Sequence, residues 1–204
     1  VFPPQARHAM IESLKTINIS SVQLIDSKSA IAAIYAVERL KKATMSENEV
    51  ELMKTIVFID IGAVQAEVSF WNFTQIGNVM QIQLMDYSYS DEIGGDMIDE
   101  LLIKYITDRL PRKPTRAEMT TIERSMKKAK ERLASGSNQF IDLSEDFQQQ
   151  MELSNEIIEN IAQPLLQKLE NLLKRVSSNG HSPDEIELIG GSSRLPSFHK
   201  IIQD

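Results

Sequence analysis

The sequence predicts a mixed α/β fold in which helices sit among strand hairpins, rather than a simple parallel alternation of strand and helix. Three observations carry this expectation. The runs at 55–61 and 66–73, TIVFIDI and AEVSFWNF, are short and apolar and are joined by a turn bearing Gly62, the pattern of an antiparallel hairpin. The stretch 154–177 offers Ile157, Ile161, Leu165, Leu169, Leu172 and Val176 at helical spacing. A third apolar run, EIELI, leads into the glycine pair of GGSSRLP at 190–196.

Taken in order, a proline opens a helix over 4–17, where Ala9, Met10, Leu14 and Ile17 recur three and four residues apart. SSVQLIDS at 20–27 reads as a short strand. The alanine-rich stretch 29–42 returns to helix, with Ile31, Ile34, Tyr35 and Val37 available to pack. ATMSENEVELM at 43–53 is polar and acidic and reads as an exposed loop. The hairpin follows, then a third strand at 79–89. Gly94 and Gly95 precede a helix to about Leu110, with Met97, Ile98, Leu101, Leu102, Tyr105 and Ile106 on one side, and PRKP ends it. Thr115 and Glu118 have capping-box spacing and start a long helix to about Ser135, heavily basic in SMKKAKER. A strand at 139–143 and a polar loop come next. The helix at 154–177 is expected to kink at Pro164. SPDE at 182–185 makes a turn, EIELI a strand, and GGSSRLP a loop opening into the last helix. Because IVFID and EIELI are both short strands of the buried type, 55–94 and 152–204 are expected to form one α/β unit. Residues 95–151 are then a smaller inserted unit, and 1–54 precede both.

A chain of 204 residues suffices for one large domain or two small ones sharing a core. A net charge of −7 argues against general nucleic-acid or anionic-membrane binding, since both need a basic face. With no cysteine, the chain has no disulfide, thiolate zinc site or cysteine nucleophile. The compartment stays open, because lumenal proteins can also lack cysteine. His8, His181 and His199 are far apart and show no ligand spacing. No segment approaches the roughly 20 apolar residues of a membrane helix, and VFPPQARHAM lacks the apolar core of a signal peptide. Val1–Pro3 reads like the end of a strand and HKIIQD like a helix cut short, so the chain is expected to be a piece of a longer one.

Asp60, at the end of an otherwise apolar strand, poses the functional question. Glycine loops let an anion approach backbone N–H groups, and an aspartate at the strand end can hold the metal ion or water that accompanies a phosphate. Alternatively, Asp60 caps a turn or pairs with a lysine. GGSSR is equally two-sided: glycine pairs punctuate many turns, and Arg194 could stack on an aromatic base or lie solvated at a helix end. Neither loop is a Walker motif, because no lysine follows the glycines at the required place.

Five segments taken together narrow the reading: LIDSKSAIAAIY at 24–35, FIDIG at 58–62, IGGDMID at 93–99, KKAKERLAS at 127–135 and GGSSRLP at 190–196. In this order they resemble the nucleotide-binding domain of the 70-kDa heat-shock (DnaK-type) chaperone family, a branch of the actin-like ATPases. The resemblance spans nearly the whole chain. It implies an actin-like (ribonuclease H-like) α/β fold and the second lobe of that domain, with 1–54 as the end of the first lobe and the connecting helix. A sugar kinase or filament protein of the same fold is disfavoured by the order and spacing of IGGDMID and GGSSRLP.

The resemblance implies ATP or ADP with magnesium as cofactor. It puts Asp60 and Gly62 in the loop around the β- and γ-phosphates, Asp60 near the magnesium and its waters, and no residue directly on the metal. Ala63 and Val64 replace two of that loop's glycines, Gln65 its threonine, and Glu67 stands in place of a shorter aspartate. Lys130 and Ser135 match contacts to ribose and adenine, and Gly191, Ser192 and Arg194 match the loop over base and sugar. Lys127 and Glu131 invert the family's charges. Ser27 and Lys28 replace a glutamate–proline pair, as in the larger 110- and 170-kDa relatives that act mainly in nucleotide exchange. The resemblance therefore implies two readings: an ATP-dependent chaperone, or a non-hydrolysing exchange co-chaperone working through protein contacts. Nucleotide binding by this stretch alone is expected to be weak or absent, and the degenerate loop leaves hydrolysis open. Implied partners are unfolded clients, co-chaperones and another 70-kDa chaperone, with neither nucleic acid nor membrane. The implied location is cytoplasmic, with the endoplasmic reticulum lumen as alternative.

Overall fold

In chain order the elements are α1 (Pro4–Lys15), α2 (Ser27–Ala43), β1 (Met53–Ile61), β2 (Ala66–Ile76), β3 (Val79–Ser90), α3 (Gly95–Thr107), α4 (Arg116–Leu133), β4 (Gln139–Asp142), β5 (Gln150–Leu153), α5 (Asn155–Ser177), β6 (Glu185–Ile189) and α6 (Pro196–Gln203). A single 3₁₀ turn, Ser192–Arg194, precedes α6. They come from a computed structural model that describes residues 3–19, 21–43, 53–77, 79–133, 136–143, 147, 150–177 and 182–203, with the side chains of 39–43 outside that description.

The hairpin expected from the apolar runs forms. β1 and β2 pair antiparallel, from Met53 opposite Thr74 to Ile61 opposite Ala66. β3 adds to β2, and β6 pairs parallel with β1, so one mixed sheet runs in the order β3-β2-β1-β6. Side chains alternate across a strand. Val57, Ile59 and Ile61 therefore join Ala66, Val68 and Phe70 in the main core with α3, α4, α5 and α6. Ile56 and Phe58, with Trp71 and Phe73, face the other way onto Ala32 and Ala36 of α2. Burial on both faces is why IVFI reads as a continuous apolar run rather than an alternating one.

Several expectations change once packing is seen. Residues 21–26 have no strand partner among the described residues, and Leu24 O instead accepts from Arg7 Nη2 at 3.4 Å. No residue of α1 is buried. In α2 the buried side chains are Ala32 and Ala36, while Ile34 and Val37 are exposed, because small residues let the helix approach the aromatic floor of Phe58, Trp71 and Phe73. The stripe of α5 is rotated by one residue in its first half, so that Ile158 and Ala162 are buried and Ile157 and Ile161 only partly so. The stretch 150–153, read as loop, forms β5 against β4. The expected exposed loop at 43–53 falls almost wholly outside the described residues. Among the described residues, no helix is long and apolar enough to cross a membrane.

The capping box forms as its spacing predicts. Thr115 N–H donates to Glu118 Oε2 at 2.6 Å, and Glu118 N–H to Thr115 Oγ1 at 3.4 Å. Arg112 donates to both Glu118 oxygens, at 2.9 and 2.7 Å. The Arg112 hydrogen bonds, followed by that of Thr115 N–H, hold the Glu118 carboxyl down at about 2 against an ordinary 4.5. A carboxylate with a depressed folded pKa stabilises above its unfolded pKa and loses that contribution as pH falls toward the folded value. Wild type is therefore expected to lose its melting-temperature advantage over Glu118→Gln between about pH 4.5 and pH 2. Parallel melting curves of the two proteins across that window check it, and a constant gap counts against the assignment.

Candidate functional site

Parallel pairing of β1 and β6 brings two loops that are far apart in sequence to the same end of the sheet. Asp60 pairs with Ile189, so the turn 62–65 and the loop after Ile189 lie side by side. Gly190 makes this contact at φ 86°, where a Cβ would stand 2.6 Å from Asp60 Oδ1.

The turn is held from within and by α3. Gly62 N–H donates to Gln65 O at 2.9 Å, Gly95 N–H to Gly62 O at 3.0 Å, and Asp96 N–H to Ala63 O at 2.8 Å. Two of the orphan amides at the start of α3 are thus capped by turn carbonyls.

Beside this junction opens a cleft of about 480 Å³ lined by Ala63, Gly95, Asp96, Lys130, Glu131, Gly191, Ser192, Arg194 and Leu195. Lys130 reaches across from α4, donating to Gly95 O at 3.1 Å and pairing with the buried Asp99 of α3. Ser193 Oγ donates to Gly190 O at 2.8 Å and sets the 3₁₀ turn that carries Arg194 to the rim. Nothing lies within 4 Å of where a Cβ on Gly191 would be.

Of the residues singled out in the sequence, six share this cleft: Ala63, Lys130, Glu131, Gly191, Ser192 and Arg194. Gly62 and Gln65 shape the adjoining turn, and Val64 is exposed at its tip. Lys127 is exposed one helical turn before Glu131, and among the described residues the two form no ion pair. Ser135 lies outside the described residues. Asp60 and Glu67 are direct partners on the β1–β2 ladder, share the α2 face of the sheet with Phe58 and Trp71, and are not among the residues that line the cleft. Burial, and then the charge of Glu67, raise the Asp60 carboxyl above its ordinary value. Burial first, then Glu67, push the Tyr87 hydroxyl up to about 12. Glu67 accepts from Gln65 Nε2 at 2.6 Å and from Ser27 Oγ at 3.2 Å. Among the described residues, no three His, Cys, Asp or Glu side chains converge as metal ligands.

Sequence reading missed Gly95, Asp96 and Leu195 as cleft residues and Ser27 as a partner of Glu67. The first three lie within motifs already singled out, IGGDMID and GGSSRLP. Ser27 had no local signal, being forty residues away.

Comparison with known proteins adds the family context. Residues 2–204 match the model of the Hsp70 protein family. Heat shock protein 110 of Caenorhabditis elegans is 23% identical over the whole of this chain and 27% of its own length. Heat shock 70-related protein 5 of Dictyostelium discoideum is 24% identical over 96% of this chain and 40% of its own length. A Chaperone protein HscA homolog of Cupriavidus taiwanensis is 25% identical over the whole chain and 31% of its own length. The chain thus spans well under half the length of these relatives.

Proposed function

The chain belongs to the Hsp70 family, and from that premise we propose that it forms part of an Hsp70-type nucleotide-binding domain whose cleft takes the adenosine end of ATP or ADP. The carrying observation is the convergence of Lys130, Glu131, Gly191, Ser192 and Arg194 on one cleft. Bare backbone at Gly191 leaves room for a sugar or base, and the exposed Arg194 offers a planar cation to stack on it. Ser192 and Glu131 supply hydroxyl and carboxylate acceptors for ribose or base donors. In this reading the chain contributes the second lobe, with 55–94 and 152–204 as its main unit and 95–151 as the insertion.

The phosphate side fits less well. The N–H of Gly62 is spent on Gln65 O, and the first amides of α3 are spent on Gly62 O and Ala63 O. Bound nucleotide would bring its own magnesium and phosphates, and no residue here is assigned to hold that metal directly. Affinity is therefore expected in the high micromolar range or weaker, because each missing hydrogen bond costs about 1 kcal/mol. Calorimetric titration with ATP and ADP, with and without magnesium, tests the reading. Arg194→Ala is expected to weaken binding roughly tenfold. Sub-micromolar binding overturns the affinity argument, and an Arg194→Ala variant that binds like wild type overturns the cleft assignment.

A second reading within the family is a nucleotide-exchange co-chaperone. It is favoured by the similarity to a protein named Heat shock protein 110 and by Ser27, whose hydroxyl engages Glu67 at the start of α2. Accelerated nucleotide release from a 70-kDa chaperone in the presence of the longer protein would support it.

A further inference from the structure

The Glu67 carboxylate is buried, yet its contacts leave the local fold in two directions. One oxygen accepts from Ser27 Oγ, at the first residue of α2, at 3.2 Å. The other accepts from Gln65 Nε2 at 2.6 Å, and Gln65 O in turn accepts from Gly62 N–H. On the far side of the same turn, Gly62 O and Ala63 O hold the first two amides of α3. α2 packs in the smaller core and α3 in the main one, on opposite faces of the sheet.

We propose that residues 62–67 form a two-sided clasp that couples the start of α2 to the start of α3 across the end of the sheet. The physical basis is that a buried carboxylate cannot give up a donor cheaply. Bonds to a charged acceptor are stronger than neutral ones, and losing one leaves buried charge unsatisfied. If Ser27 withdraws, Glu67 re-forms its contacts with water, with the neighbouring Tyr87 hydroxyl or with Gln65 alone. Each of these movements pulls on Gln65, the residue whose carbonyl closes the turn. The turn carbonyls that cap α3 then shift with it, and so do Gly95 and Asp96, which line the cleft. The clasp is independent of what the cleft binds, so its test needs no nucleotide.

Residue-resolved amide hydrogen exchange on the 204-residue protein provides that test. Ser27→Ala removes one prong without touching the turn. It is expected to speed exchange at Gly95 and Asp96 by at least roughly threefold, with Gln65→Ala doing the same from the other prong. Ser27→Thr keeps the hydroxyl and should restore wild-type rates. Ser13→Ala, on exposed α1, should leave them unchanged. The amide of Leu169, in the buried stripe of α5, reports on the fold as a whole. Unchanged exchange at Gly95 and Asp96 in Ser27→Ala overturns the clasp. So does a rise shared equally by Leu169, which would mark general destabilisation instead of coupling.

Discussion

Gly190→Ala is expected to destabilise the fold by at least about 2 kcal/mol, whereas Gly191→Ala, one residue on, should be close to neutral. Gly190 sits at φ 86°, where a side chain is strained whatever the space around it. Its added Cβ would also stand 2.3 Å from Ile61 O and 2.6 Å from the Ile61 carbonyl carbon, backbone atoms of a strand paired on both sides. Relief requires separating β6 from the end of β1, which undoes the contact that assembles the cleft. Gly191 has an ordinary helical backbone, φ −65° and ψ −34°, and open space at its Cβ position. Its alanine variant should fold normally and lose affinity for nucleotide because a methyl group enters the cleft. Urea unfolding of the two variants separates these outcomes, and equal stability of Gly190→Ala and Gly191→Ala would contradict the geometry.

The second large effect concerns hydrolysis by a longer protein containing this chain. Phosphoryl transfer depends on donors already aimed at the phosphate and on a positioned water. In this turn the Gly62 N–H is satisfied by Gln65 O, the Gln65 side chain is held by Glu67, and Ala63 and Val64 add Cβ atoms where glycines would leave space. Removing one such donor typically slows turnover by roughly a hundredfold or more. ATP turnover is therefore expected to fall at least about a hundredfold below that of an ordinary family member. Combining Ala63→Gly, Val64→Gly and Gln65→Thr should raise it, since the triple change reopens the turn and frees Glu67 of one donor. Single-turnover assays of both proteins decide the matter. Wild-type turnover at an ordinary chaperone rate would show that Asp60 works despite its neighbours.

Much of the architecture was legible because it depends on neighbouring residues. The β1–β2 hairpin, the apolar side of α3 with Ile98, Leu102 and Ile106, and the Thr115–Glu118 box are all set within a few positions of the chain. Patterns of that kind follow from pleat, helical period and capping chemistry. The cleft was legible in part for a different reason: its residues belong to short motifs whose order resembles a known family, which pointed to Lys130, Glu131, Gly191, Ser192 and Arg194 before any contact was visible.

By itself, then, the sequence determined most of the helices and strands, the hairpin, the capped start of α4 and membership of the family, though not the irregular 21–26 or the strand at 150–153. Only the tertiary structure decided that Asp60 would lie against Gly190, that Glu67 would be held by Ser27 from forty residues away, and that Ala32 and Ala36 instead of Ile34 would carry the buried face of α2. The reason is physical. Local dihedral preferences and hydrophobic periodicity act between consecutive residues, so they are written in consecutive letters. Which carboxylate meets which hydroxyl depends on strand register and on how closely a helix can approach a sheet, and both are fixed only when distant segments compete for the same buried space.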